Sequence, residues 1–250
     1  MKRLRGGHPA TMIISSPGSA SAPGWRRALD IIATLAMIAA SGFVVWRMAQ
    51  TPTSANPTRP SLAVPSNPID VSNRPQLGST TAHAAMIVVS DFQCPFCGKF
   101  AASTMKEIKS KYVDSGQVQL FFLNNPLDMH PLAPKAAEAA LCANAQNRFW
   151  PMHDLLFSNL KALDEPSLIV SAGGLGLDMV SFRSCLAGQT ATAVDADRAL
   201  ARTLGIQMTP SFLFGTINAQ AHAVTVQKTL AGALPFEDFD KALSRLVGQR

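Results

Sequence analysis

The chain has 250 residues, 47% of them hydrophobic and 15% charged, with a formal net charge of +6 at pH 7. Residues 1–27 hold Lys2, Arg3, Arg5, Arg26 and Arg27 and no acid, which supplies +5 of that total and leaves the rest of the chain at +1. A nearly neutral folded part lacks the clustered basic face that gripping phosphates requires, so nucleic acid is excluded as an expected partner.

The five charges precede Ala28–Trp46, a 19-residue stretch that is apolar apart from Asp30, Thr34 and Ser41. That is the length a transmembrane helix needs. Only Arg47 follows immediately, so the basic arm 1–27 is expected in the cytoplasm and everything after Arg47 outside it. A cleaved signal peptide is the rival reading, with Thr53-Ser54-Ala55 as a passable cleavage site. A twin-arginine export signal at Arg26-Arg27 is opposed by Asp30 in what should be its apolar core. From 47 to 75 the chain carries six prolines among Ser, Thr and Asn and reads as an extended tether.

Met86-Ile87-Val88-Val89 suits a buried central strand, and Phe96 to about Tyr112 has the pattern of an amphipathic helix. Val118 to Leu123 is the next strand, which completes a βαβ unit. Residues 126–204 are mostly helical in pattern, with segments near 135–145, 149–160, 166–172, 178–186 and 191–204. Strands near 211–214 and 223–226 and a closing helix over 235–246 follow. The expected architecture is α/β: a mixed sheet interrupted by a helical insertion, preceded by one N-terminal transmembrane helix.

Cys94-Pro95-Phe96-Cys97 stands where the first strand hands over to the helix. In a βαβ setting that motif favours redox chemistry over zinc, and no second Cys-x-x-Cys is present. Cys94 at a helix N-terminus faces free backbone N–H groups and the positive end of the dipole, so its thiolate is favoured. Such cysteines have pKa values between roughly 3.5 and 7.5. Cys97, deeper in the first turn, is the expected resolving thiol and the less exposed of the two. No cofactor is expected beyond this disulfide, and no metal.

Other positions divide between chemical and structural readings. Cys142 and Cys185 are expected to pair as a structural disulfide outside the cytoplasm, with two unpaired core cysteines or a second redox pair as alternatives. Phe92, Phe96 and Phe100 form either an apolar docking surface or ordinary packing. Phe149, Trp150 and Phe157 read as core. Lys99 reads as solvated, His130-Pro131 as a turn before a helix, and His153 as a half-buried helical residue.

Taken in order, Leu77-Gly78, Val89-Ser90-Asp91-Phe92-Gln93-Cys94-Pro95-Phe96-Cys97-Gly98, His130-Pro131, Phe149-Trp150-Pro151-Met152-His153-Asp154 and Leu204-Gly205 before Thr209-Pro210 resemble the DsbA-like thiol-disulfide oxidoreductases of the thioredoxin superfamily. The match covers roughly 76–247. It implies a thioredoxin fold with a helical insertion over about 126–204 in a domain spanning 76–250. It also implies work on the thiols of exported proteins and a cis proline at 210, whose neighbour Thr209 would offer its backbone to an extended substrate. A membrane redox partner would recycle the cysteine pair. The implied location is the bacterial inner membrane, with the catalytic domain on the periplasmic side.

Two departures bear on the chemistry. Phe96 stands where the strongest oxidants of the group carry histidine, so a milder oxidant is expected. Val88 occupies the place of a buried acid that shuttles protons in many relatives. Asp91 is the candidate substitute acceptor, with a solvated acid or a cap at the strand end as the alternative. An oxidase is the leading expectation; a reductase or isomerase of the same fold is the alternative, and a Cu(I)-holding module is a more distant one.

Overall fold

The structure, a computed structural model, describes residues 24–50 and 62–249 and divides into two units, 1–57 and 58–250. In the first unit α1 runs over Gly24–Gln50. Leu29, Ile31, Ile32, Leu35, Met37, Ile38 and Phe43 are exposed along it. The Ser41 hydroxyl donates back to Met37 O at 2.6 Å, which satisfies it within the helix. The stretch expected as a span lies inside α1, and no helix of the described residues is long and apolar enough to cross a membrane. Most of the basic arm, residues 1–23, lies outside the described residues.

The second unit is built on six strands: β1 (Ile69–Asp70), β2 (Gln76–Leu77), β3 (Ala84–Ser90), β4 (Val118–Asn124), β5 (Ser211–Asn218) and β6 (Ala223–Ala231). Their order across the sheet is β1-β6-β5-β3-β4-β2. β3 and β4 are parallel, joined by the helical crossover that parallel strands require, and the other pairings are antiparallel. All seven residues of β3 are buried, as a central strand covered on both faces demands. Along it Ala84, Met86 and Val88 enter one core while Ala85, Ile87 and Val89 enter another.

Two parts of the sequence-based map need correction. The stretch expected as a tether to residue 75 joins the fold earlier. Ile69 and Val71 are 3% and 2% exposed, β1 pairs with β6, and the Thr229 hydroxyl donates to Leu62 O at 2.6 Å. Residues 51–61 of that stretch lie outside the described residues. The helix expected over 96–112 is broken into α2 (Pro95–Ala102) and α3 (Thr104–Ile108), the latter running into a π-helical turn over Lys109–Val113. At the break Ser103 (φ −124°, ψ −88°) donates its hydroxyl to Lys99 O, and Thr104 donates to Leu234 O. Such side-chain bonds compete with the helical ladder and bend it.

The insertion holds α4 (Ala133–Asn144), α5 (Phe149–Ser158), α6 (Glu165–Gly174), α7 (Met179–Leu186) and α8 (Ala191–Thr203). Asp164 and Asp178 cap α6 and α7 by accepting from Ser167 N and Ser181 N. Cys142 on α4 and Cys185 on α7 are joined, with Cα atoms 5.7 Å apart. α9 (Phe236–Val247) closes the domain, laying Phe239, Ala242, Leu243 and Leu246 at helical spacing onto the core it shares with β3, α2 and α3.

Candidate active site

The sheet brings two distant segments to one end. Val89 of β3 lies opposite Ser211 of β5, so the turn after β3 and the peptide before β5 are neighbours. Cys94 N donates to Asp91 O and Gly98 N donates to Cys94 O, both at 3.1 Å, which sets Cys94 at the mouth of α2. Pro95 takes the first helical position, where its missing N–H leaves nothing unsatisfied. Gly98 lets α2 approach the turn after α5 closely: a Cβ there would stand 3.1 Å from a Leu160 methyl.

Cys94 and Cys97 are both free thiols, 3% and 1% exposed, so the expected contrast in exposure is small. The contrast in acidity is large. Cys94 is drawn from the ordinary thiol value of 9.0 down to about 5, chiefly because the Cys97 thiol donates to its sulfur; burial opposes this, while Thr209 and the N–H groups of Cys97 and Phe96 reinforce it. Cys97 is pushed well up, first by burial and then by the neighbouring Cys94, with Ser90 and the Asp91 backbone partly opposing. One sulfur is therefore held as the thiolate and the other as the thiol. As a thiol, Cys94 donates to Thr209 O at 3.4 Å, and the Thr209-Pro210 peptide is cis.

Asp91 is not a solvated acid. Its side chain is fully buried and accepts from Gln93 N (2.7 Å), Leu127 N (2.8 Å) and His130 Nδ1 (2.7 Å); no hydrogen bond joins the carboxylate to either sulfur among the described residues. The three phenylalanines near the motif separate. Phe92 and Phe100 are 1% and 2% exposed and belong to the core, whereas Phe96 is 62% exposed. Met129, beside His130, and Met208, beside Thr209, are also exposed. Lys99 is exposed on α2, as its solvated reading requires.

His153 corrects its half-buried reading. It is 2% exposed, ringed by Phe92, Phe122, Phe149, Trp150 and Phe157, and burial lowers its pKa against the opposing bond to Asp154. It is a core residue. Phe149, Trp150 and Phe157 pack in the same cluster, as expected of them. Among the described residues no three His, Cys, Asp or Glu side chains group to hold a metal ion.

Sequence reasoning missed Ser90, Gln93 and Met129. Ser90 and Gln93 stood within the quoted motif, but no pattern assigns a partner to either. Met129 carries no local signal, because exposure follows from tertiary packing.

Residues 70–234 match the family described as Thioredoxin. The chain belongs to the thioredoxin family. Among thioredoxin-fold structures, alpha-DsbA1 of Wolbachia pipientis superposes with a TM-score of 0.64 at 23% identity, covering 72% of this chain and 94% of that one. That likeness shows a DsbA-like thioredoxin fold. Among curated relatives, a Na(+)/H(+) antiporter NhaA 3 of Salinispora tropica is 34% identical over 178 residues, 66% of this chain and 26% of that protein. A probable disulfide bond formation protein D of Bacillus cereus is 30% identical over 91 residues, 36% of this chain and 42% of its own. This thioredoxin-family chain thus spans about a quarter of the antiporter and less than half of the Bacillus protein.

Proposed function

We propose that the protein is an extracytoplasmic thiol-disulfide oxidoreductase that oxidises the cysteines of exported proteins. The observation that carries this reading is the split between the sulfurs: Cys94 drawn down to about 5 at the mouth of α2, Cys97 held protonated behind it. In the oxidised protein a substrate thiolate attacks Cys94 Sγ, the Cys94–Cys97 bond breaks, and Cys97 leaves and takes up a proton. A second substrate thiolate then attacks the substrate sulfur of the mixed disulfide and expels Cys94 as a thiolate. The substrate dithiol loses two electrons and the Cys94–Cys97 pair gains them. A stable Cys94 thiolate is a good leaving group, which drives the second step.

Phe96, within the cysteine motif, and Met208, beside Thr209, are exposed and give a substrate peptide apolar surface to lie on. An integral membrane partner reoxidises the pair, and residues 28–46 hold the domain at the bacterial inner membrane with its active site on the periplasmic side. The matching antiporter supports work beside a membrane, since there the related stretch is about a quarter of a membrane protein.

The test is the equilibrium of Cys94–Cys97 with glutathione, together with mixed-disulfide trapping by Cys97→Ala in cells. An oxidase gives a potential well above the roughly −270 mV of thioredoxin and accumulates substrates on Cys94. A potential as low as thioredoxin's turns the reading to a reductase, and absence of trapped species removes the catalytic claim.

A further inference from the structure

The turn that presents Cys94 is held from outside its own helix. Of the three hydrogen bonds on the Asp91 carboxylate, two come from the loop that opens the helical insertion, from Leu127 N and His130 Nδ1. Gln93 adds a third tie to that loop, its Oε1 accepting from Leu132 N at 2.8 Å. The Asp91 main-chain oxygen meanwhile accepts from Cys94 N. The same residue therefore grips the insertion with its side chain and Cys94 with its backbone.

A wholly buried carboxylate is costly unless it is partnered. His130, whose own side chain is 17% exposed, is the one side chain bonded to it among the described residues. Without His130 the carboxylate loses a donor and is drawn toward water, taking with it the turn that seats Cys94. The N–H groups that favour the Cys94 thiolate act at short range, so a tilted turn weakens them.

We propose that His130 is a positioning residue for Cys94 acting through Asp91: the pair fastens the turn 91–93 to the start of the insertion and so keeps the reactive sulfur at the mouth of α2. Its functional meaning rests on the oxidoreductase reading above. The Phe96 side chain offers the thiolate no polar group, and the ties from Asp91 and Gln93 to residues 127–132 reach the turn before Cys94 from another part of the fold.

The test uses the full chain with His130→Ala, His130→Gln and Gln93→Ala, plus Lys109→Ala as a control that removes only the surface pair with Asp114. Two properties are measured: the pH titration of Cys94 by ultraviolet thiolate absorbance, and the equilibrium with glutathione. For His130→Ala the titration should move up by about half a pH unit and the equilibrium constant for oxidising glutathione should fall about threefold, the same free energy read twice. Gln93→Ala should shift both in the same direction. His130→Gln, which keeps a donor, should recover most of the effect, and Lys109→Ala should move neither. If His130→Ala does not fold, Gln93→Ala and His130→Gln decide. Unchanged titration and equilibrium in the folded variants overturn the positioning role, even where the unfolding midpoint drops. A wild-type pair that does not exchange with glutathione overturns the oxidoreductase reading instead, and the thiolate titration still judges the role of His130 by itself.

Discussion

Cys94 ties the stability of the reduced protein to pH. Its folded pKa, about 5, lies below the ordinary 9.0, so the thiolate contributes stability that is complete above the upper value and is lost as pH falls through the lower one. Cys97, shifted upward, acts only above the ordinary thiol range. The oxidised form has neither thiol. The gap in unfolding midpoint between reduced and oxidised protein should therefore drift steadily toward the oxidised form as pH falls through that window, then level off. Thermal unfolding of both forms across a pH series checks it, and a constant gap contradicts the assignment. Phe96 offers a second probe, because its ring is exposed and can be replaced without opening the core. Phe96→His places an ionisable donor beside the thiolate and should make the pair more oxidising by about tenfold, or about 30 mV. The glutathione equilibrium measures this, and an unchanged or lower potential counts against it.

The elements that carry the site were legible because each follows from local chemistry. An apolar β-branched run gave β3, Cys-x-x-Cys after it gave the mouth of α2, and alanine-rich periodicity gave the insertion helices. What escaped depends on distant partners. Ser103 looks helical in sequence, yet it breaks the helix while Thr104 reaches Leu234 O, 130 residues away. β1 hides in a proline-rich stretch because its two residues are ordered by β6. Asp91 and His130 are 39 residues apart, and nothing local pairs them. At the irregularity in β5, a Cβ on Gly215 would stand 2.0 Å from Thr225 O, a contact with backbone that cannot rotate away. Gly215→Ala should destabilise by about 1–3 kcal/mol in denaturant unfolding. Gly98→Ala meets only the Leu160 side chain, which can turn aside as backbone cannot, and should cost less.

Across the whole molecule, covalent and ionic ties hold the insertion to the sheet and to itself. The Cys142–Cys185 bridge closes a 43-residue separation, and a loop of that size stabilises by about 4 kcal/mol in the chain-entropy picture. Replacing both cysteines by alanine should lower stability by about that amount. The Cys94–Cys97 potential should stay in place, since neither sulfur of the bridge bonds to the active pair; a shifted midpoint in redox titration would give the bridge a redox role. Arg74, Asp197 and Asn124 form a second tie. Asp197 on α8 accepts from Arg74 at 3.0 Å and from Asn124 N and Nδ2 of β4, while burial raises its pKa. The anchoring proposed for residues 28–46 is checked by an alkaline wash: retention in the membrane fraction supports it, and release counts against it.

The pairing of Val89 with Ser211 also has a consequence for rebuilding the molecule. Both halves of the site are fixed by adjacent strands, so the helices from α4 to α8 form a cassette inserted between them. The fastening of Asp91 and Gln93 to residues 127–132 marks where that cassette can be cut. A graft that begins at Ala133 leaves the redox turn with its own supports; one that begins at Asn125 carries those supports away with the piece removed.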